Sequence, residues 1–104
     1  MKQFEVYQVN LDPTIGAGTK KSRLAVIISP NVMNKHLRTV IVAPLTNTKK
    51  GYPSRVSSQF QKKDGEVVPD QLRAVDKVRL VTKMGVLDRR TASAILGVLQ
   101  TMFQ

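Results

Sequence analysis

An arginine and a threonine stand at the ends of two apolar runs in this sequence, and both side chains suit work on a phosphate. Arg23 immediately precedes the run Leu24 to Ile28, and Thr46 immediately follows the run Val40 to Leu45. Short continuous apolar runs of this kind predict buried strands. If the two strands pair, their ends bring Arg23 and Thr46 to one rim of a small sheet, where binding and catalytic groups are often found.

The chemistry that these two side chains offer is phosphate binding and charge stabilisation. An arginine guanidinium can bind two phosphate oxygens at once, and it can stabilise negative charge that develops in a transition state. RNA carries its own nucleophile, the 2′-hydroxyl, so its cleavage depends chiefly on positioning and charge stabilisation. Taken singly, Arg23 can equally be a surface charge and Thr46 a turn residue. The residues alone therefore leave open a binding protein for RNA or DNA, or a nuclease.

The distribution of charge points to an anionic partner. The chain has 104 residues, with 17 Lys and Arg and 7 Asp and Glu. From Pro13 to Lys63 there is no acidic residue but there are 10 basic ones, which leaves 17 − 10 = 7 basic against 7 acidic residues elsewhere. The net charge of +10 therefore arises within one segment. A local excess of this kind indicates a nucleic acid, an acidic protein, or both as partners.

The composition excludes several kinds of site. Cysteine is absent, which excludes disulfides, thiol catalysis and cysteine-ligated metals. His36 is the only histidine, and no cluster of histidine and carboxylate residues predicts a metal site or a cofactor. No apolar run approaches the roughly 18 residues of a membrane span, and the N-terminus lacks the apolar core of a signal peptide. We expect one cytoplasmic domain covering residues 1–104.

Most of the chain is predicted to form short strands. In the first strand, Phe4 to Leu11, the period of two places Tyr7 and Val9 on one face and Phe4 and Val6 on the other. The later elements are predicted as strands at Leu24 to Ile28, Thr39 to Leu45, Arg55 to Ser58, Glu66 to Val68 and Val78 to Val81, with one helical turn at Val32 to His36.

Turn and cap residues mark where these elements end. Asp64-Gly65 predicts a hairpin turn, and Gly85 is expected to break the chain between the last strand and the helix. Asp88 is a candidate N-cap for a C-terminal amphipathic helix. The predicted apolar face of that helix consists of Ala92, Ile95, Leu96, Leu99, Met102 and Phe103. The pattern indicates a mainly β (α+β) fold, a small partly open barrel or twisted sheet with one closing helix.

Several motifs, taken in order, resemble the MazF/PemK family of toxins from bacterial toxin–antitoxin pairs. They are V-N-L-D-P-T-x-G from Val9, R-x-A-V-I-I-S-P from Arg23, V-I-V-A-P-L-T from Val40, K-G-Y-P from Lys50 and D-Q-x-R-x-V-D from Asp70. The resemblance implies an SH3-like small β-barrel (MazF/CcdB/Kid-like) with a C-terminal helix, working as a homodimer. It also implies metal-independent, sequence-specific cleavage of single-stranded RNA, with mRNA as substrate. The 2′-hydroxyl would attack the adjacent phosphate, giving 2′,3′-cyclic phosphate and 5′-hydroxyl ends.

The same resemblance assigns roles to residues and implies a partner. The family's catalytic arginine falls on Arg23 and its catalytic threonine on Thr46. The RNA groove is expected to include Asp70 and Gln71, together with polar and basic residues of the neighbouring loops. Those loop residues are Thr14, Gly16, Lys20, Lys21, Asn47, Lys49, Lys50 and Arg55. The expected protein partner is a cognate acidic antitoxin whose disordered tail folds along the basic groove.

Three positions depart from the family's pattern. Leu24 stands where a proline usually follows the arginine, and Gln8 stands where a tryptophan is common. The loop sequence Gly16-Ala17-Gly18-Thr19 replaces a G-x-E-Q type sequence, so it supplies no acid or base. Two alternatives are therefore considered beside the nuclease. One is a gyrase poison resembling CcdB, although this chain lacks that relative's Trp-Gly-Ile type ending, and the other is a catalytically weak protein that binds RNA and antitoxin.

Overall fold

Short β-branched runs separated by polar turns build most of the chain into strands. The computed structural model describes residues 1–11 and 22–104. Within those ranges it contains two α-helices, α1 (Asn31–His36) and α2 (Arg89–Met102), and two 3₁₀ turns, Pro69–Gln71 and Lys77–Arg79. The strands in the same ranges are β1 (Glu5–Asn10), β2 (Ser22–Ile27), β3 (Thr39–Thr46), β4 (Val56–Phe60), β5 (Lys63–Val67), β6 (Arg73–Asp76) and β7 (Leu80–Val86).

The sheet curls around β3, because this strand pairs with three others. One edge of β3 pairs with β2, with Ala25 opposite Pro44. The other edge pairs first with β6, from Thr39 to Val42, and then with β5 at its end. Across the described residues the order is β4-β5-β3-β2-β1-β7, and these pairings are antiparallel. The predicted mainly β fold, a curled and partly open barrel with a C-terminal helix, is confirmed.

The two faces of the sheet carry separate hydrophobic clusters. Val6, with Phe4 packed beside it, belongs to a cluster that includes Ile95 of α2. Val9 belongs to the cluster on the other face, with Tyr7 packed against it. The predicted division of the first strand into two apolar faces is therefore confirmed, and both faces of β1 contribute to the core.

The cap of α2 was also predicted correctly. The carboxylate of Asp88 accepts hydrogen bonds from the Thr91 backbone N–H at 3.1 Å and from the Thr91 hydroxyl at 2.6 Å. These hydrogen bonds lower the pKa of Asp88. The helix is thus fixed at its start, next to the end of β7.

The buried stripe of α2 is narrower than the sequence predicted. Ile95 is fully buried, and Ala92 is buried beside it, whereas Leu96 and Phe103 are 41% and 71% exposed. At the helical spacing, Leu96 and Phe103 point about 80–100° away from Ile95 around the helix axis. They therefore lie beside the packed stripe, and Met102 in the last turn is also exposed.

The predicted hairpin turn at Asp64-Gly65 was wrong. β4 and β5 are joined at Gln61 and Lys62, whose φ angles are 53° and 64°. A two-residue turn with positive φ at both positions matches the twist of the strands it joins. Asp64 and Gly65 instead lie inside β5. Gly65 is needed there because a Cβ would come within 2.1 Å of the Thr46 carbonyl oxygen.

Two further predictions near the C-terminal strands were wrong. Gly85 does not end the strand, because β7 continues through it to Val86. Its missing side chain makes room for the Phe60 ring, which a Cβ would approach to 3.1 Å. Val78 lies in a 3₁₀ turn, and β7 begins only at Leu80. Neither α1 nor α2, the helices among the described residues, is long and apolar enough to cross a membrane.

Candidate functional site

The pairing of β2 with β3 brings Arg23 and Thr46 to one rim of the sheet. The ladder sets Ala25 opposite Pro44, and Arg23 and Thr46 each lie two residues beyond this pair on their own strands. Because side chains alternate along a strand, Arg23 shares a face with Ala25, and Thr46 shares that face with Pro44. Arg23 is exposed and Thr46 is half-buried. A guanidinium and a hydroxyl are thus presented together by the ends of a rigid ladder.

Two clefts meet at this rim. One has a volume of about 520 Å³, and we name it the glutamine cleft because Gln8 and Gln61 line it. The other has a volume of about 570 Å³, and we name it the arginine cleft because Arg55 and Arg73 line it. Five residues line both clefts, namely Arg23, Leu24, Leu45, Thr46 and Thr48. Arg23 and Thr46 therefore lie on the ridge between the two clefts.

The glutamine cleft has a polar wall held in place by hydrogen bonds. Gln8 Nε2 donates to Ser22 Oγ at 2.8 Å, and Gln61 Nε2 donates to the Met84 carbonyl oxygen at 2.8 Å. Each bond uses one N–H of an amide and leaves the amide oxygen as an acceptor and the second N–H as a donor. Such a wall suits the edge of an unstacked nucleobase, which offers donors and acceptors in one plane.

The arginine cleft combines an apolar floor with positive charge. Val9, Ala25 and Val42 contribute to the floor. Its basic lining residues are Arg23, Lys50, Arg55 and Arg73. Several cations around one groove attract a polyanion, and this attraction weakens as the salt concentration rises. This cleft therefore suits a phosphate backbone or an acidic peptide.

Arg55, predicted to bind RNA, is already held by the protein. Its Nε donates to Asp70 Oδ1 at 3.0 Å, and its Nη1 lies 3.7 Å from Glu66 Oε1. Its guanidinium carbon also lies 5.1 Å from the centroid of the Tyr52 ring. The Arg55 side chain is only 11% exposed. Arg55 is therefore a fixed charge in the cleft wall, with Asp70 as its partner.

The hydroxyl of Thr46 is oriented by the chain that follows it. The backbone N–H of Thr48 donates to Thr46 Oγ1 at 3.1 Å. A hydroxyl that accepts this bond still has its own O–H to donate. The geometry thus leaves Thr46 able to donate a hydrogen bond towards a group on the ridge.

The other predicted residues are distributed as follows. Asn47 lines the glutamine cleft, and Lys50 and Gln71 line the arginine cleft. Lys49 and Asp70 line neither cleft, and the Lys49 ammonium lies 3.4 Å from the carboxylate of Asp64. The predictions for Thr14, Gly16, Lys20 and Lys21 concern positions outside the described residues. Among the described residues, no three His, Asp or Glu side chains are grouped so that they could hold a metal ion.

The comparison with known proteins decides the family. Residues 2–103 match the family model described as PemK-like, MazF-like toxin of type II toxin-antitoxin system. The chain belongs to this toxin family. The PemK/MazF resemblance seen in the motifs is thereby confirmed, and it extends over almost the whole chain.

Curated relatives agree with this assignment to the PemK/MazF family. The endoribonuclease toxin MazF of Escherichia coli (strain K12) is 34% identical over 80 residues, which cover 76% of this chain and 72% of the relative. The endoribonuclease MazF of Staphylococcus saprophyticus is 34% identical over 93 residues, which cover 84% of this chain and 78% of the relative.

Solved structures share the fold of this PemK/MazF family member at lower identity. One is a mycobacterial endoribonuclease in complex with its cognate antitoxin, with a TM-score of 0.82, 24% identity and coverage of 99% of this chain and 94% of that chain. Another is MazE-MazF (Form-III) from Deinococcus radiodurans, with a TM-score of 0.83, 23% identity and coverage of 99% and 95%. At these identities the likeness concerns the fold.

Sequence reasoning missed several residues that line the clefts of this PemK/MazF protein, among them Gln8, Gln61, Glu66 and Arg73. Arg73 lies two residues after Gln71, so the D-Q-x-R spacing was a signal that both belong to one groove. Glu66 comes shortly after the long segment without acidic residues, and this position was a signal that its carboxylate has basic neighbours. Gln8 stood out only as the position where a tryptophan is common, and its place in the wall depends on pairing between β1 and β2.

Proposed function

We propose that this chain is the endoribonuclease toxin of a type II toxin–antitoxin system, and that it cleaves single-stranded RNA at the ridge formed by Arg23 and Thr46. The observation that carries the proposal is the position of these two side chains between two clefts. The phosphate to be cleaved lies on the ridge, and the nucleotides on its two sides enter the clefts. Relatives that bear the name endoribonuclease MazF support the activity.

The reaction is an internal transfer within RNA. The 2′-hydroxyl oxygen attacks the adjacent phosphorus, the bond to the 5′-oxygen breaks, and a 2′,3′-cyclic phosphate and a 5′-hydroxyl result. One proton leaves the 2′-oxygen and one is gained by the 5′-oxygen, so the step is balanced without a further reactant. Arg23 binds the non-bridging oxygens and stabilises their growing charge, and Thr46 donates a hydrogen bond to the same group.

The clefts divide the work of holding the RNA. Cations of the arginine cleft, such as Lys50 and Arg73, bind the phosphates next to the scissile one. The amide oxygens of Gln8 and Gln61 in the glutamine cleft accept hydrogen bonds from a base edge. Specificity for a short sequence follows from this wall, while affinity follows mainly from charge.

The same basic surface suits a protein inhibitor. An acidic antitoxin segment is complementary to the acid-free stretch, and it blocks RNA by occupying the arginine cleft. Two structures that share this fold contain an antitoxin, a mycobacterial complex and MazE-MazF of Deinococcus radiodurans. The proposal includes a homodimer built from one domain per chain, residues 1–104, acting on RNA in the cytoplasm.

The test is incubation of the purified protein with a long single-stranded RNA in EDTA, followed by mapping of the fragment ends. Cleavage at a repeated short sequence with 5′-hydroxyl ends is expected, and Arg23→Ala is expected to abolish it. Arg38→Ala serves as the matched control, because Arg38 is also exposed but lines neither cleft. RNA that is bound but left intact by the unaltered protein would contradict the nuclease and indicate an RNA-binding relative.

A further inference from the structure

Glu66 is a buried carboxylate that holds part of the most basic region of the chain. We name residues 47–55, which join β3 to β4, the basic loop. Glu66 Oε1 accepts a hydrogen bond from the Lys50 backbone N–H at 2.9 Å, and Oε2 accepts one from the Gly51 N–H at 2.8 Å. The Glu66 side chain is 2% exposed. Both carboxylate oxygens are therefore engaged by the middle of the loop.

The end of the basic loop is held by the same carboxylate. Arg55 Nη1 lies 3.7 Å from Glu66 Oε1, and Arg55 Nε donates to Asp70 at 3.0 Å. The guanidinium also lies over the ring of Tyr52. A buried charge is stable only where such partners satisfy it. Glu66 thus ties the middle and the end of the basic loop to β5.

The start of the basic loop follows directly from the ridge. In the ladder between β3 and β5, Glu66 lies opposite Thr46. One residue of β5 therefore fixes Thr46 through backbone pairing and fixes Lys50 and Gly51 through its side chain. Lys50 lines the arginine cleft, so the orientation of this cation depends on the same anchor.

Glu66 is poorly suited to act as a base in the reaction. Its oxygens are occupied, and hydrogen bonds from the Lys50 and Gly51 backbone lower its pKa despite burial, with Arg55 and Lys49 adding to the effect. It therefore stays ionised at the pH of an RNA cleavage assay. What it offers is a fixed negative charge that orders a positively charged loop.

We propose that Glu66 is a positioning residue, which holds the basic loop so that Lys50 faces the RNA backbone and Thr46 faces the scissile phosphate. The inference rests on the proposed function, and it adds a residue whose two carboxylate oxygens are engaged by the basic loop. The expected effect on RNA affinity is also the opposite of the one that charge alone predicts. Removing a carboxylate from a basic surface should strengthen RNA binding, whereas loss of an anchor should weaken it.

The first experiment compares Glu66→Gln with Asp76→Asn. Both variants lose one negative charge, but Asp76 is exposed and lines neither cleft. Binding of a non-cleavable single-stranded RNA is measured by fluorescence anisotropy, with single-turnover cleavage of the normal RNA beside it. Glu66→Gln is expected to weaken binding by about tenfold, as for loss of a charged hydrogen-bond partner. Asp76→Asn is expected to bind RNA at least as tightly as the unaltered protein.

The second experiment needs no RNA and tests directly whether the Glu66 carboxylate holds the basic loop; we call this attachment the anchor. Hydrogen exchange by NMR reports the Lys50 and Gly51 amides, and limited trypsin digestion reports cleavage after Lys49 and Lys50. In the unaltered protein both amides are expected to exchange slowly. In Glu66→Gln exchange and digestion are expected to accelerate several-fold, with no change in Asp76→Asn.

These readouts separate the two proposals. If the unaltered protein protects Lys50 and Gly51 but leaves RNA intact, the ribonuclease proposal fails and the anchor stands. Unprotected amides in the unaltered protein overturn the anchor even if Glu66→Gln does not fold. A folded Glu66→Gln protein that binds RNA more tightly, as Asp76→Asn would on charge alone, overturns it as well.

Discussion

Gly65 lies against the backbone carbonyl of Thr46, so closely that a Cβ at position 65 would come within 2.1 Å of the Thr46 oxygen. A backbone carbonyl in a ladder cannot swing aside as the end of a flexible side chain can. β5 therefore reaches its place beside Thr46 only because residue 65 has no side chain. The position of a candidate catalytic residue thus depends on a glycine in the neighbouring strand.

Substitution of that glycine is expected to damage both stability and activity. Gly65→Ala should lower the free energy of unfolding by about 1–3 kcal/mol, the usual cost of overpacking. RNA cleavage should fall further than stability alone explains, because Thr46 must shift. Urea unfolding and single-turnover cleavage are the measurements. Gly97→Ala is the control, since nothing lies within 4 Å of a Cβ there, and it should stabilise α2 by up to about 1 kcal/mol.

The hydroxyl of Thr46 can be tested without changing the shape of its side chain. Thr46→Val should reduce the cleavage rate by at least about 10²-fold, a loss comparable to that of one transition-state donor. RNA affinity should change little, because the cations remain. Thr46→Ser keeps the hydroxyl and should keep most of the activity. Equal cleavage rates for Thr46→Val and the unaltered protein would remove this hydroxyl from the mechanism.

The two lysines of the basic loop should contribute affinity without sequence preference. Changing Lys49 and Lys50 together to Gln should weaken binding to single-stranded RNAs of different sequence by similar factors. If each lysine neutralises one phosphate, the slope of log K against log salt should flatten by roughly 1.4. The control is the pair Lys2 and Lys35, which are exposed and line neither cleft. An unchanged slope for the variant altered at Lys49 and Lys50 would show that these lysines do not reach the RNA.

Stability should depend on pH through Glu5, which lies away from the clefts. Burial raises the pKa of Glu5, but hydrogen bonds from Lys83, the Lys2 backbone and Tyr7 outweigh this and lower the pKa from 4.5 to about 2. The Lys83 ammonium lies 2.9 Å from Glu5 Oε2.

Because the pKa of Glu5 is lower in the folded protein, its contribution is present above about pH 4.5 and is lost as the pH falls towards 2. That contribution is on the order of 2 kcal/mol, given that half-exposed Lys83 is partly screened. Denaturant unfolding at several pH values should show Glu5→Gln less stable near neutrality and the difference shrinking in acid. A constant difference would contradict the role of this ionised carboxylate.

Local sequence patterns predicted the features of the structure that depend mainly on residues close together in the chain. Alternation along β1 separated Val9 from Val6, the cap at Asp88 was visible as a turn residue before an apolar helix, and strand ends predicted one rim for Arg23 and Thr46. Each of these depends on neighbours within a few residues in the chain, or on the pairing of two strong strands.

The features that the sequence did not predict depend on contacts between residues that are far apart in the chain. Asp64-Gly65 has the composition of a turn, yet Gly65 is required by Thr46 in another strand. Arg55 looks like a free cation in the sequence, and only the fold places Glu66 and Asp70 against it. β6 is short and polar, and it is stabilised as a strand by pairing with β3. No local period encodes such relationships.

The ridge between the two clefts has a consequence for how this kind of toxin diversifies. Arg23 and Thr46 stand on paired strands, and each cleft also takes lining residues from other elements, such as Gln8 and Gln61 in one and Arg55 and Arg73 in the other. Substitutions at Gln8 or Gln61 can change the glutamine cleft while the basic lining of the arginine cleft, Lys50, Arg55 and Arg73, stays in place. On the proposed mechanism, toxins with this arrangement can change the RNA sequence they accept on one side of the phosphate while the other side, and the pair Arg23 and Thr46, stay the same.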